Sequence, residues 1–296
     1  MRYQNLYRNV SWIYLIIVPL VTAVLGFTIK SISYQVYLPL WILNVFLMLA
    51  ACRMLSVRNT LLGNREKKRM AAGGLLLIAP WMFYSIFAAM GSPPETYAEW
   101  VGNAFEQQVR YSFLIIGGIL LLLGFAVVRE SIKHTNGNIF SLIGFTAICI
   151  AMILFILNMC YWNSFVPESF KTEEALTLNK LPEWYQPVKK LFLVIAIVEV
   201  SLTYVATAAF AAALKSAGWF KKAASWVYIA IGLFAFAAVA LYGYYSETIV
   251  KNGFPFYSLM IPAIPFAMPY YGREFVTAFR KLNRKFRYCY KDQTNE

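Results

Sequence analysis

Eight runs of roughly 20 apolar residues, at about 11–29, 37–56, 71–90, 111–128, 139–161, 191–214, 224–245 and 256–271, are separated by more polar stretches. Most can cross a hydrocarbon core of about 30 Å at about 1.5 Å per residue; the last is short and proline-rich. In lipid every backbone amide must be satisfied within the protein, which leaves helices and closed barrels. The runs are continuously apolar and not ten-residue alternations, so they read as helices. The expected fold class is therefore all-α: a polytopic integral membrane protein of eight transmembrane helices, forming a single transmembrane domain over residues 1–296. A composition of 60% hydrophobic and 14% charged residues agrees, since soluble domains carry about 45–50% and about 25%.

Charge sets the expected orientation. With the N-terminus inside, the inner segments hold 20 of the 27 basic residues, including Arg53 to Arg69 and a basic tail over 272–296. The outer loops hold the other seven together with eight of the 14 acids. A bias of this kind places both termini in the cytoplasm, in the inner membrane if the source is bacterial. The net charge of +13 is then explained by positive-inside residues and by anionic lipid at the tail, with no nucleic acid required. The first run follows Arg2 and Arg8 but has no A-x-A cleavage site after it, so it reads as a retained span. Only Cys160 of the four cysteines approaches the outer face, and no disulfide is expected.

A tandem repeat emerges along the chain. ILNV (42–45) aligns with IVEV (197–200), GSPPET (91–96) with GYYSET (243–248), YSFLII (111–116) with YSLMIP (257–262) and VVRE (127–130) with YGRE (271–274). Apolar identities arise easily in spans, but polar matches in one order at helix ends weigh more. They suggest a 4+4 duplication, with units at approximately 1–135 and 136–285. An even number of spans per unit gives both halves one orientation, about a pseudo-two-fold axis along the membrane normal. The stretch 161–190 then reads as an outer cap loop inserted in the second half, carrying Pro167, Pro182 and Pro187.

Glu199, inside VIAIVEVSLTYV, is the polar residue that demands an explanation. An ionisable residue within a span is costly and marks a functional site by default. Under the repeat it occupies the place of Asn44, and Asn158 enters from the same side. Counted from Leu191 at about 1.5 Å per residue, Glu199 lies about 12 Å below the outer boundary. It shares a face with Ala196, Thr203 and Ala206, ending at Phe210, and small and polar neighbours indicate a face that meets protein or a cavity. The competing reading is a neutral acid whose interhelical hydrogen bond only fixes register, worth about 0.6 kcal/mol on average.

The fourth and eighth spans give a second pointer. Pro262, Pro265 and Pro269 interrupt the eighth, and Gly117, Gly118 and Gly124 lie in its repeat mate. Broken segments at corresponding positions mark the binding site of many repeat-built transporters, although Gly and Pro are common in transmembrane helices generally. The prolines should bend the eighth span and turn freed carbonyls toward the bundle interior. Among the aromatics, Trp41, Tyr204 and Tyr242 belong partly to the interface belt, while Trp81 and Tyr84 lie deeper and are placed to line a pocket. The substrate-binding set read from sequence is thus Glu199, Asn44, Thr203, Trp41, Trp81, Tyr84, Tyr204, Asn158, Pro262 and Pro265.

Absences narrow the chemistry. The sole aspartate is Asp292 in the tail and the sole histidine is His134 in an inner loop. Paired-aspartate Mg²⁺ sites, intramembrane aspartyl proteolysis and histidine-based metal sites or triads are excluded, no catalytic residue or cofactor is assigned, and the reading leans away from an enzyme. Two classes are left. One is a membrane carrier for a small polar or cationic solute or ion, in which Glu199 is protonated or paired when empty and exchanges that for substrate. The other is a non-transporting sensor or assembly subunit with an outward-facing small-molecule or lipid pocket.

Overall fold

The computed structural model describes residues 34–57, 96–172, 182–218 and 222–242, together with Pro94, Phe220 and scattered helical positions within 6–17 and 72–83. The described residues form helices and turns, without strands. In chain order these are α1 (Tyr34–Val57), α2 (Tyr97–Gly102), α3 (Ala104–Ile132), α4 (Asn138–Cys160), a π-helical turn (Tyr161–Phe165), α5 (Val166–Ser169), α6 (Tyr185–Ser216) and α7 (Lys222–Tyr242).

Three helical segments are long and apolar enough to cross a membrane: Ala104–Ile132, the continuous run Asn138–Ser169, and Tyr185–Ser216. They contain the runs expected at 111–128, 139–161 and 191–214. The shorter apolar stretches Leu38–Ala51 and Ser225–Leu241 lie in α1 and α7. At 29 to 32 residues the three long segments measure about 44–48 Å, more than a hydrocarbon core of about 30 Å, so they tilt or protrude. The expected spans near 71–90 and 256–271, the tail 272–296, and the residues 243–274 needed for the repeat comparison lie wholly or mostly outside the described residues, as does most of the first span.

Each long helix buries a stripe at three- and four-residue spacing. On α3 it runs Gln107, Arg110, Tyr111, Leu114, Gly118, Leu121, Phe125, Val128 and Ile132; on α4 it runs Ser141, Gly144, Ile148, Ala151, Phe155 and Asn158. Such stripes are what helix-to-helix packing requires. Among the main helices α3 packs on α4, α4 on α6, and α6 on α7, and Phe125 of α3 also meets Phe210 of α6 with ring centroids 4.6 Å apart. Outside the stripes the large apolar side chains are exposed, up to Ile139 at 71% and Phe234 at 78%. In lipid that surface is the contact with acyl chains; in water it would be an aggregation hazard.

Two close approaches set the spacing around α6. A Cβ on Gly137, at the start of α4, would come within 2.3 Å of the Ala213 carbonyl oxygen, and one on Gly144 within 2.8 Å of the Phe210 ring. Small residues at helix crossings in membranes permit this separation. α6 ends at Gly218, φ 73°, whose N–H donates to the Lys215 carbonyl at 3.0 Å. The left-handed conformation suits glycine there and turns the chain into α7. Lys215 Nζ then lies 3.7 Å from the centroid of the Trp226 ring and ties the two helices at this end.

The stretch 161–190 is less of a loop than its prolines suggest. The helix that begins at Asn138 continues through the π turn to Ser169, with Pro167 directly after the turn, where the ladder already changes from π to α spacing. α6 starts at Tyr185, six residues before the expected boundary. Between Ser169 and Tyr185 the described residues, 170–172 and 182–184, lie outside helix.

Candidate functional site

α6 carries Glu199 fourteen residues from its first residue, Tyr185, and thus about 21 Å along a 32-residue helix. The acid lies near the helix middle. It is buried at 3% exposure. Thr203, Ala206 and Phe210 on its face are buried as well, so this face meets protein. Neither threonine at the following turns reaches the carboxyl: Thr203 Oγ1 donates to the Glu199 backbone carbonyl at 3.0 Å, and Thr207 Oγ1 to the Thr203 carbonyl at 2.9 Å. This back-bonding leaves the hydroxyls occupied and is the usual state of such residues within helices.

The Asn158 side chain on α4 lies within hydrogen-bonding reach of the Glu199 carboxyl. The carboxylate form accepts only, so the Asn158 Nδ2 is the group turned toward it. Asn158 is buried, and its Oδ1 has no hydrogen-bond partner among the described residues. Among those residues, neither Lys nor Arg forms an ion pair with Glu199, and no cluster of three His, Cys, Asp or Glu is positioned to hold a metal ion.

Just outside the pair, two rings join the same helices. Tyr161 is three residues beyond Asn158 on the same face of α4, and Phe192 is seven residues before Glu199 on the same face of α6. Their rings stack with centroids 4.0 Å apart and planes at 13°. Tyr161 opens the π turn, a feature frequent at functional sites. Its buried hydroxyl lies beside that of Tyr185 but has no partner in strict hydrogen-bond geometry. Asn163, within the same turn, fastens it to α3 by donating to the Gln108 carbonyl at 2.7 Å and to Ser112 Oγ at 3.1 Å.

The sequence-derived set is partly gathered here. Glu199, Asn158 and Thr203 come together. Asn44 does not join them; half-buried on α1, it accepts a hydrogen bond from the Tyr14 hydroxyl. Tyr204 points to a different side of α6, packing on Ile197, Val200 and, from α7, Val239. Trp41 and Tyr242 lie on α1 and α7, with side chains outside the described residues, and Trp81, Tyr84, Pro262 and Pro265 lie outside them altogether.

Sequence reasoning missed Tyr161, Phe192 and a buried arginine. Arg110 is 1% exposed, and its Nη1 donates to Gln107 Oε1 at 3.5 Å. Gln107 one turn before Arg110, directly ahead of an apolar run, was the available signal. Nearby, Trp162 stacks on Tyr111 at 6.2 Å, and Trp100 lies 6.2 Å from Trp162 and 5.9 Å from Phe170. These rings, with Tyr97 against Phe170 at 4.6 Å, close this end of the bundle. No protein-family model matches the chain, and neither a curated protein nor a solved structure matches it.

Proposed function

We propose that this protein is a membrane carrier for a small polar or cationic solute, with Glu199 as the residue that exchanges a proton or its pairing for substrate. One observation carries the reading: a carboxyl buried near the middle of a long apolar helix, beside an amide whose own oxygen has no partner among the described residues. A residue kept only for register would be cheaper as leucine, because both polar burial and an orphaned acceptor oppose stability. In the full arrangement eight spans form two four-helix repeats of common orientation, with both termini cytoplasmic and the basic tail against anionic lipid. The polar matches between the halves and the bias of basic residues support that arrangement.

The test is solute-dependent flux in proteoliposomes under an imposed proton gradient, with organic cations and polar metabolites as the panel. A carrier gives flux above that of protein-free liposomes for at least one member. The rings closing the α2–α3 end favour a second reading, a module that binds a ligand at this face without moving it. Saturable binding with no flux of any member selects that reading.

A further inference from the structure

We propose that the Glu199–Asn158 site takes a primary ammonium group, its N–H donors shared between the Glu199 carboxylate and Asn158 Oδ1 and its carbon side against the Tyr161–Phe192 ring pair. The inference rests on the reading of Glu199 as a ligand site and names the chemistry of the ligand.

With Glu199 ionised, the described site offers acceptors and lacks donors. The one described donor facing the carboxyl is the Asn158 amide, and it is used there; the oxygen at its other end is buried with nothing to accept from. A ligand that completes this arrangement brings at least two hydrogens to donate, and one that neutralises the ionised carboxyl brings a positive charge. A primary ammonium has three N–H donors on a compact cation. The adjoining wall suits it too. Tyr161 and Phe192, one turn beyond Asn158 and two turns before Glu199, stack on each other between the same two helices and leave apolar ring surface for the ligand's carbon side.

Other ligands fit worse. Mg²⁺ demands six oxygens and Ca²⁺ six to eight, whereas the described site supplies one carboxyl and one amide oxygen. An anion would face the carboxylate. A quaternary ammonium would satisfy the rings and leave Asn158 Oδ1 unbonded.

The test is isothermal titration of the purified full chain in detergent micelles with methylammonium chloride, tetramethylammonium chloride and sodium chloride at matched ionic strength. Methylammonium is expected to bind saturably, at least tenfold more tightly than either other cation. Glu199→Gln should weaken it at least tenfold, and Phe192→Leu, which keeps an apolar side chain but loses the ring, severalfold. The parent's ranking of the three cations needs no variant and stands even if a variant fails to fold. Equal binding of sodium, equal binding of tetramethylammonium, absence of saturable methylammonium binding, or undiminished affinity in folded Glu199→Gln would each overturn the proposal. Flux of another solute with no methylammonium binding would defeat this inference alone; methylammonium binding without flux would defeat the carrier reading alone.

Discussion

Asn158 has two unlike ends, and the difference gives the site its character: its nitrogen is within reach of Glu199 while its oxygen is buried with no donor among the described residues. Replacing Asn158 with alanine removes an interhelical hydrogen bond, and such bonds in membranes are worth about 0.6 kcal/mol on average and up to about 1.7 kcal/mol. Because the orphaned oxygen disappears too, the expected loss of stability stays within that range, as read by thermal unfolding in detergent. A loss well above it would mean that Asn158 supports much more than this pair. Glu199 itself was legible in the sequence, since one acid inside a long apolar run stands out by composition alone. Its neighbour Asn158 stood in the same sequence-derived set but was not singled out as the pair. The repeat pointed to Asn44, but pairing is decided by which helices are neighbours, and α6 packs on α4. Arg110 escaped for a related reason: an arginine at the edge of an apolar run looks like a loop charge until packing shows it to be buried.

At the scale of elements, apolar length and periodicity located the helices, and side-chain detail set their ends. The run at 111–128 lies within α3 and that at 139–161 ends on the first residue of the π turn, but Ala104–Arg110 and Trp162–Ser169 also coil, carrying the helices past the apolar runs. α2 was legible in principle: Thr96 caps it by accepting from the Glu99 N–H at 3.3 Å, and a threonine three residues before a glutamate is a known start signal. The π turn was not, because it requires one residue out of α register and no local composition specifies that. Close approach provides the sharpest test of the α4–α6 crossing. Gly137→Ala drives a methyl group to 2.3 Å from a backbone oxygen that cannot move alone, and should destabilise by about 1–3 kcal/mol, the range for overpacking. Gly102→Ala has open space around it and should be neutral or stabilising by up to about 1 kcal/mol, since alanine suits a helix better than glycine. Parallel denaturation of the two variants checks the pair; equal effects would contradict the crossing.

For the whole molecule, the account predicts that the α3–α4 connection is cytoplasmic and the end of α5 faces outward, the orientation given by the excess of basic residues on one side. In a background lacking native cysteines, Lys171→Cys should react with an impermeant maleimide on intact cells, and His134→Cys only after permeabilisation. The reverse pattern would invert the topology. The packing of α4 against both α3 and α6 could not be deduced from hydropathy, which orders spans along the chain and says nothing of which are neighbours in space. What joins the scales is the claim that a buried carboxyl between α4 and α6 moves substrate. The measurement that tests it most directly compares Glu199→Gln with the parent in proteoliposomes, following substrate flux as the imposed proton gradient is varied. A glutamine resembles the protonated acid in shape and polarity, so the variant should fold and express like the parent. The account predicts that its flux falls at least tenfold and no longer responds to the gradient; flux and gradient response equal to the parent's would make the carboxyl structural and contradict the account.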